Sequence, residues 1–273
     1  MGATRLLLLA VCCCSSALAG DLKTPPAEAP ARLAPRYDER ALLAIVIDDM
    51  GLDWARFRAV MAIDAPLTLS FLPYGKDAQA MLDIASDQHE VLLHLPMQPF
   101  GDFNAGPDQV TLGSDAAVKR QINNNLEKLT GYHGVNNHMG SRVTADRQTM
   151  RSVLDVLNDK GLFFLDSRTS TRSVSSDVAP LVGARVIENA HFIDGEAGRG
   201  GKREALRQLT LGAQVAKRDG SAIVIGHPYP TTIAALEAWL QTNEAKSVQL
   251  VKVSTLLPKS EQVSDQSRST LRF

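Results

Sequence analysis

Asp48 and Asp49 stand side by side in "LAIVIDDMG", and four more chemistry-bearing residues each stand at or just past the end of a separate expected strand: His94 in "VLLHLP", His138 in "GVNNHMGS", Asp166 in "FLDSRT" and His227 in "AIVIGHPYP". Two histidines and one carboxylate are the donor set of a catalytic zinc, which takes three protein ligands and leaves a position for water. Each position also has a plainer use. An Asp-Asp pair before Gly51 can cap a turn by accepting from free backbone N–H groups. His94, between Leu93 and Leu95, can be a hydrogen-bonded core residue, and His227, followed by Pro228 and Pro230, can cap its own turn. Around His138, Asn136, Asn137, Ser141 and Arg142 crowd polar side chains onto one strand end, which fits a ligand or substrate role.

The elements that must position these residues follow from periodicity. Strands are expected at 42–47, 67–72, 90–94, 134–138, 162–165, 184–187, 222–225 and 248–251, and helices at 54–62, 78–87, 115–129, 146–159, 202–218 and 231–240. Alternation of short apolar runs with helical stretches predicts an α/β fold with crossover helices on a largely parallel sheet, closed as a distorted (β/α) barrel of about seven strands. In such a barrel the strand ends that carry Asp48, His94, His138, Asp166 and His227 share one face, so residues distant in sequence converge.

Other histidines are read differently. His89 and His133 fall at or beyond helix ends and are expected on the surface, while His191 in "HFID" either joins the site with Asp194 or edges a strand. The glycine-rich "DGEAGRGGKRE" is not a phosphate loop, because Arg203 stands where Ser or Thr is needed and the glycine spacing before Lys202 is wrong.

Composition bounds the rest. A formal net charge of −1 over 273 residues, with no long basic run, excludes a nucleic-acid binder, and 44% hydrophobic residues suffice for one large core. Residues 1–19 have the charged, apolar and Ala17-Leu18-Ala19 layout of a signal peptide, with cleavage before Gly20, so a periplasmic or secreted location with no membrane span after processing is expected. A retained anchor, or lipid attachment at Cys12 after the bulky Val11, is the lesser alternative. Cys12, Cys13 and Cys14 all lie in that segment, so the mature chain has no thiolate to offer a metal. Residues 20–40 read as a Pro- and Ala-rich linker, 41–257 as the single catalytic domain, and 258–273 as a polar disordered tail.

"IDDMG" resembles the opening motif of the polysaccharide deacetylases of NodB-type fold, and "QHEVLLHLPMQ" resembles their histidine segment, although Gln98 stands where that family has its second histidine. With "GVNNHMGSRVT", "FLDSRTS" and "IGHPYPTT", the chain over 41–257 is similar to the divergent polysaccharide deacetylases. The resemblance implies that Asp49 and His94 are metal ligands, Asp48 the general base and His227 the general acid. His138 is inferred to replace the missing histidine. Asp166 and Arg142 would orient a ligand or the base, with Asn137, Ser167 and Arg168 beside them as supporting or substrate-binding groups. The implied cofactor is a divalent metal, zinc first, and the implied activity is removal of N- or O-acetyl groups from a polysaccharide or cell-wall glycan. The rival expectation is an inactive glycan- or cell-envelope-binding protein on the same fold, with a cell-envelope protein as partner, and Gln98 is the feature that favours it. Nucleophilic hydrolases are disfavoured by the absence of a G-x-S-x-G elbow and of any mature cysteine. Aromatic residues are only 5% of the chain, so a sugar platform has few candidates, among them Tyr74, Phe100, Phe103 and Tyr229.

Overall fold

The computed structural model describes residues 40–195 and 200–258. The expected signal peptide, almost all of the linker and the tail beyond Pro258 lie outside the described residues. Nine strands form one all-parallel sheet: β1 (Leu42–Met50), β2 (Thr68–Phe71), β3 (Glu90–Met97), β4 (Gly134–Met139), β5 (Phe163–Asp166), β6 (Val186–Glu188), β7 (His191–Phe192), β8 (Ser221–Gly226) and β9 (Gln249–Val251). The order is β6-β5-β4-β3-β2-β1-β8-β7, a curled half-barrel, and no ladder joins β6 to β7 among the described residues. β8 runs along one edge of β1 from Leu42 to Ile47, while β9 takes Leu42–Ala44 on the edge that β2 occupies from Val46 onward.

The strands carry near-continuous apolar runs because both faces of a parallel sheet are covered. Leu43, Ile45 and Ile47 of β1 face the helices and belong to the larger core cluster. Ala44 and Val46 face inward with Leu92, Leu165, Ile223 and Ile225, which fill the floor of the half-barrel. The helices cover the outer face: α1 (Trp54–Met61), α2 (Ala78–Ser86), α3 (Asp115–Leu126), α4 (Arg147–Asp159), α5 (Ser175–Val182), α6 (Gly201–Asp219), α7 (Pro230–Leu240) and α8 (Asn243–Lys246). α4 shows the logic: Asp146 caps it by accepting from the Thr149 N–H at 2.8 Å, and Met150, Val153, Leu154 and Leu157 at three- and four-residue spacing are buried.

Eight strands and six helices agree with the periodicity to within a few residues. The helix α5 was not expected because Pro180 interrupts its pattern, and Gly183, at φ 69°, ends it in the left-handed conformation. β7 has only two residues, too few for any period to register.

Candidate active site

The inner-face alternation builds the site. Two residues beyond each floor residue on its strand lies the next inward position: Asp48 after Val46, His94 after Leu92, Ser167 after Leu165 and His227 after Ile225. On β4, Asn136 and His138 share a face, and the register sets Asn136 beside His94 and His138 beside Pro96. The polar ring thus sits one layer above an apolar floor.

Asp49 breaks the alternation. As the next residue after an inward Asp48 it would point out, but the β1–β2 register shifts between Ile47 and Met50, and Asp49 has φ 56°. This irregularity turns both carboxylates to one nitrogen, with His94 Nε2 3.5 Å from Asp48 Oδ2 and 3.4 Å from Asp49 Oδ1. Met139 and Arg168, just beyond the same point on β4 and β5, also have positive φ, so three of the four such non-glycine residues described edge the site.

Asp49, His94 and His138 bring one donor atom each to within 4.8 Å of the others. His138 Nδ1 lies 3.0 Å from Asp49 Oδ1 and 3.2 Å from His94 Nε2. A tetrahedral zinc with bonds of about 2.0–2.1 Å separates its donors by about 3.3–3.4 Å, close to this spacing. Asp49 Oδ1 is buried and has no hydrogen bond of proper geometry. On the far side of the His94 ring, Nδ1 is 2.8 Å from Asn136 Oδ1, an acceptor, so Nδ1 carries the proton and Nε2 presents its lone pair to the cluster. The donor set and the orphaned oxygen fit a divalent cation.

Asn136 is the hub of this arrangement. Its Oδ1 also accepts from Ser70 Oγ, and its Nδ2 donates to Asp48 Oδ1 at 2.8 Å and to Ser167 Oγ at 3.2 Å. It therefore fixes one ligand and the neighbouring carboxylate together.

The environment separates the two aspartates. Burial pushes the Asp48 carboxyl up, only partly offset by His94 and His227. Burial acts the same way on Asp49, yet the neighbouring His138 and His94 imidazoles outweigh it and hold that carboxyl well below the usual range. One carboxylate stays ionised, and the other is the more basic of the pair.

His227 belongs to a second unit. Asp194, 2% exposed, accepts from the His227 backbone N–H at 2.5 Å, faces Nδ1 at 3.2 Å, and accepts from Thr232 Oγ1 at 3.2 Å. Burial works to lower the imidazole pKa, but Asp194, with Asp49 and Asp48 behind it, raises it to about 9. The ring is stacked on Phe192, centroids 6.1 Å apart, and Nε2 is the nitrogen left for a ligand. Asp48, His94, His138 and His227 all line one open cleft of about 760 Å³.

The remaining expected residues take other places. Asp166 accepts from the Arg168 N–H and from the hydroxyls of Ser173 and Ser175, so it shapes the loop after β5 and orients neither ligand nor base. Asn137 serves the same loop, accepting from the Ser167 N–H at 2.9 Å and donating to the Met139 carbonyl at 2.6 Å. Arg168 pairs with Glu188 at 3.6 Å. Arg142 is exposed, and no hydrogen bond or ion pair ties its guanidinium to the cluster. Ser167 touches Asn136, as above. Gln98 is held by its backbone to Val110, Arg142 and Val143.

His89 is a correction: it is 4% exposed, with neither ring nitrogen hydrogen-bonded, because the turn after α2 folds it beneath the sheet. His133 is on the surface as expected, and His191 edges a strand, its Nε2 2.9 Å from the Gln208 carbonyl. Of the aromatic candidates, Phe100 and Phe103 line the cleft, Tyr229 lies 5.6 Å from the His227 ring, and Tyr74 packs under Gly106.

Known proteins share the fold. A family model described as divergent polysaccharide deacetylase matches residues 45–257. An uncharacterised protein of Haemophilus influenzae is 37% identical over 216 residues, which are 78% of this chain and 76% of that one. Among solved structures, the uncharacterised protein ATU2773 of Agrobacterium tumefaciens C58 matches with a TM-score of 0.75 at 28% identity, over 81% of this chain and 91% of that one. The catalytic domain of a peptidoglycan N-acetylglucosamine deacetylase from Eubacterium rectale shares the fold, with a TM-score of 0.53 at 14% identity over 86% and 97% of the two chains.

Proposed function

We propose, from the premise that this chain belongs to the divergent polysaccharide deacetylase family, that it hydrolyses acetyl groups from a glycan outside the cytoplasm, using a divalent ion held by Asp49, His94 and His138. The observation that carries this reading is the closure of those three donors around the unpartnered Asp49 Oδ1, beside a raised Asp48 and opposite an Asp194-held His227. A bound ion would supply Lewis-acid activation of water and of the acyl oxygen.

The chain's own residues do the remainder. Asp48, kept basic by burial and held by Asn136, accepts the proton of the attacking water. His227 is protonated below about pH 9 and delivers a proton from Nε2 to the departing amine or alkoxide, while Asp194 keeps Nδ1 donating. Phe192 shields one face of that imidazole from water. His138 supplies the third donor in place of the histidine that Gln98 replaces, which favours the hydrolase over an inactive binding protein.

The N-terminal segment favours export, and the substrate named for the Eubacterium rectale neighbour makes N-acetylated peptidoglycan strands the first glycan to assay, followed by O-acetylated polymers. The test is elemental analysis of wild type and His138→Ala after dialysis against trace zinc, with acetate release measured on the same samples. The hydrolase reading expects about one ion per wild-type chain, loss of that ion in the variant and acetate release by wild type only. Two proteins equally free of metal, with glycan binding but no acetate, would hand the assignment to the inactive binding module.

A further inference from the structure

The cleft has an end that the chemistry above does not use. Phe103, 70% exposed, and Phe100, 40% exposed, line it on the loop after β3, away from the polar ring on the strand ends. Exposed aromatic side chains on an open cleft are costly to leave in water and fit the apolar faces of sugar rings. Phe100 is already engaged on one face: the Arg172 guanidinium, from the loop after β5, sits over its ring with Cζ 4.3 Å from the centroid. No carboxylate among the described residues forms an ion pair with that guanidinium, although Arg168 on the same loop has Glu188. With its Cζ held 4.3 Å from the Phe100 centroid and no carboxylate among the described residues paired to it, this guanidinium has N–H groups to offer, and a guanidinium pairs with a carboxylate through two parallel hydrogen bonds. The backbone beneath is held too, since the Phe100 N–H donates to Ser141 Oγ at 2.9 Å.

From this we infer that Arg172, Phe100 and Phe103 form a subsite for a carboxylate-bearing sugar next to the acetylated one, so that the enzyme selects acidic glycans over neutral ones. Phe103 stacks on the sugar ring, and Arg172 receives its carboxylate. That the neighbouring sugar is an acetylated substrate rests on the hydrolase reading, whereas binding of the carboxylate-bearing sugar does not. Charge complementarity decides the class: the guanidinium has no internal partner among the described residues, and the aromatic surface asks for a pyranose rather than a peptide chain with its own backbone donors.

Peptide-free peptidoglycan strands, whose lactyl ethers carry carboxylates, provide the probe, compared with the same strands after conversion of the carboxylates to methyl amides. Affinity by calorimetry and acetate release are measured on both for wild type, Arg172→Gln, Arg172→Lys and Phe103→Ala. Wild type should bind the charged strand about tenfold more tightly than the amidated one, and Arg172→Gln should bring that ratio close to one. Arg172→Lys should recover only part of it, and Phe103→Ala should weaken both strands alike. A wild-type ratio near one, or a ratio that survives Arg172→Gln, overturns the subsite even if acetate is released, and so does failure of the charged strand to bind. Discrimination in binding without any acetate release upholds the subsite and sinks the hydrolase reading instead.

Discussion

Asn136 is the side chain on which the site's organisation turns, since one amide fixes the tautomer of His94 and grips Asp48. Removing a hydrogen-bond partner of a metal-binding histidine costs about 10–100-fold in metal affinity. Asn136→Ala should therefore weaken zinc binding by that factor in competition with a chelator, and Asn136→Asp should restore an acceptor to His94 while losing the donor to Asp48. An unchanged affinity in Asn136→Ala would mean that the His94 ring is oriented by packing alone. Asp194 acts on the other unit. Because the His227 pKa is raised to about 9 and the acid must be protonated, activity should hold up to that pH and fall above it. Asp194→Asn removes the main charge that raises it, so the alkaline limb of the kcat profile should move down by about one to three pH units. A limb that stays put would assign it to another group. Neither residue was singled out in the sequence for these roles, and the reason is specific. Asp48, Asp49, His94, His138 and His227 are conspicuous because a charged or imidazole side chain stands at or just past the end of an expected strand. Asn136 precedes a more conspicuous neighbour, Asn137, and only the period of two that pairs it with His138 on one face distinguishes them. The same period puts Asp166 on the outer side of β5 and Ser167 on the inner side, the reverse of what their chemical types suggest. Asp194 follows a two-residue strand, too short to tell which way it faces.

At the scale of elements, the site depends on how strands end. Central strands and the longer helices were legible because burial imposes a period, and their ends were legible to within a few residues. The geometry at those ends was not, since a register slip at Asp49 or a left-handed residue at Met139 leaves no trace in hydrophobicity. Gly140 makes the dependence measurable. It has φ 87°, and a Cβ there would lie 2.7 Å from the Met97 Cβ on the neighbouring strand, too close for either backbone to keep its place. Gly140→Ala combines a conformation L-residues avoid with a backbone-level clash, each worth about 1–3 kcal/mol. For a domain of this size about 1 kcal/mol lowers Tm by about 2–4 °C, so a drop of several degrees is expected, with zinc affinity falling alongside because His138 lies two residues away. Gly161→Ala is the control: φ is 70° there also, but nothing lies within 4 Å of the added carbon, so only the conformational part should be lost. Equal losses at the two positions would show that the contact with Met97 relaxes freely.

Across the whole molecule, the strands carry their chemistry at one end, while the opposite end, where β3 begins, holds a polar group with a different consequence. His89 is 4% exposed, both ring nitrogens lack hydrogen-bond partners, and it borders a hollow that Asp64 and Gln88 also line. Burial, with Lys252 adding to it, holds its pKa below the ordinary 6.5. The unfolded chain therefore binds a proton at His89 more readily than the folded chain does. By linkage, this group leaves stability untouched well above pH 6.5 and subtracts from it as pH falls through 6.5 toward the folded value, by at most about 1.4 kcal/mol per pH unit. Asp49, whose carboxyl is held low, pulls the same way only at much lower pH, because its stabilisation is lost as pH falls through its own depressed pKa. The two contributions separate in a denaturant titration of wild type and His89→Phe at pH 7.5, 6.0 and 5.0. Phenylalanine fills a similar volume and cannot charge, so the variant should gain on wild type steadily between pH 7.5 and 5.0, whatever its offset at neutral pH. Parallel curves over that range would mean that His89 finds a proton acceptor in the folded state, with the carboxylate of Asp64 the nearest candidate among the residues that line the hollow. The direction of the effect matters beyond stability, because on acidification the end of the fold that holds His89 would then yield before the end that carries the Asp49, His94 and His138 cluster.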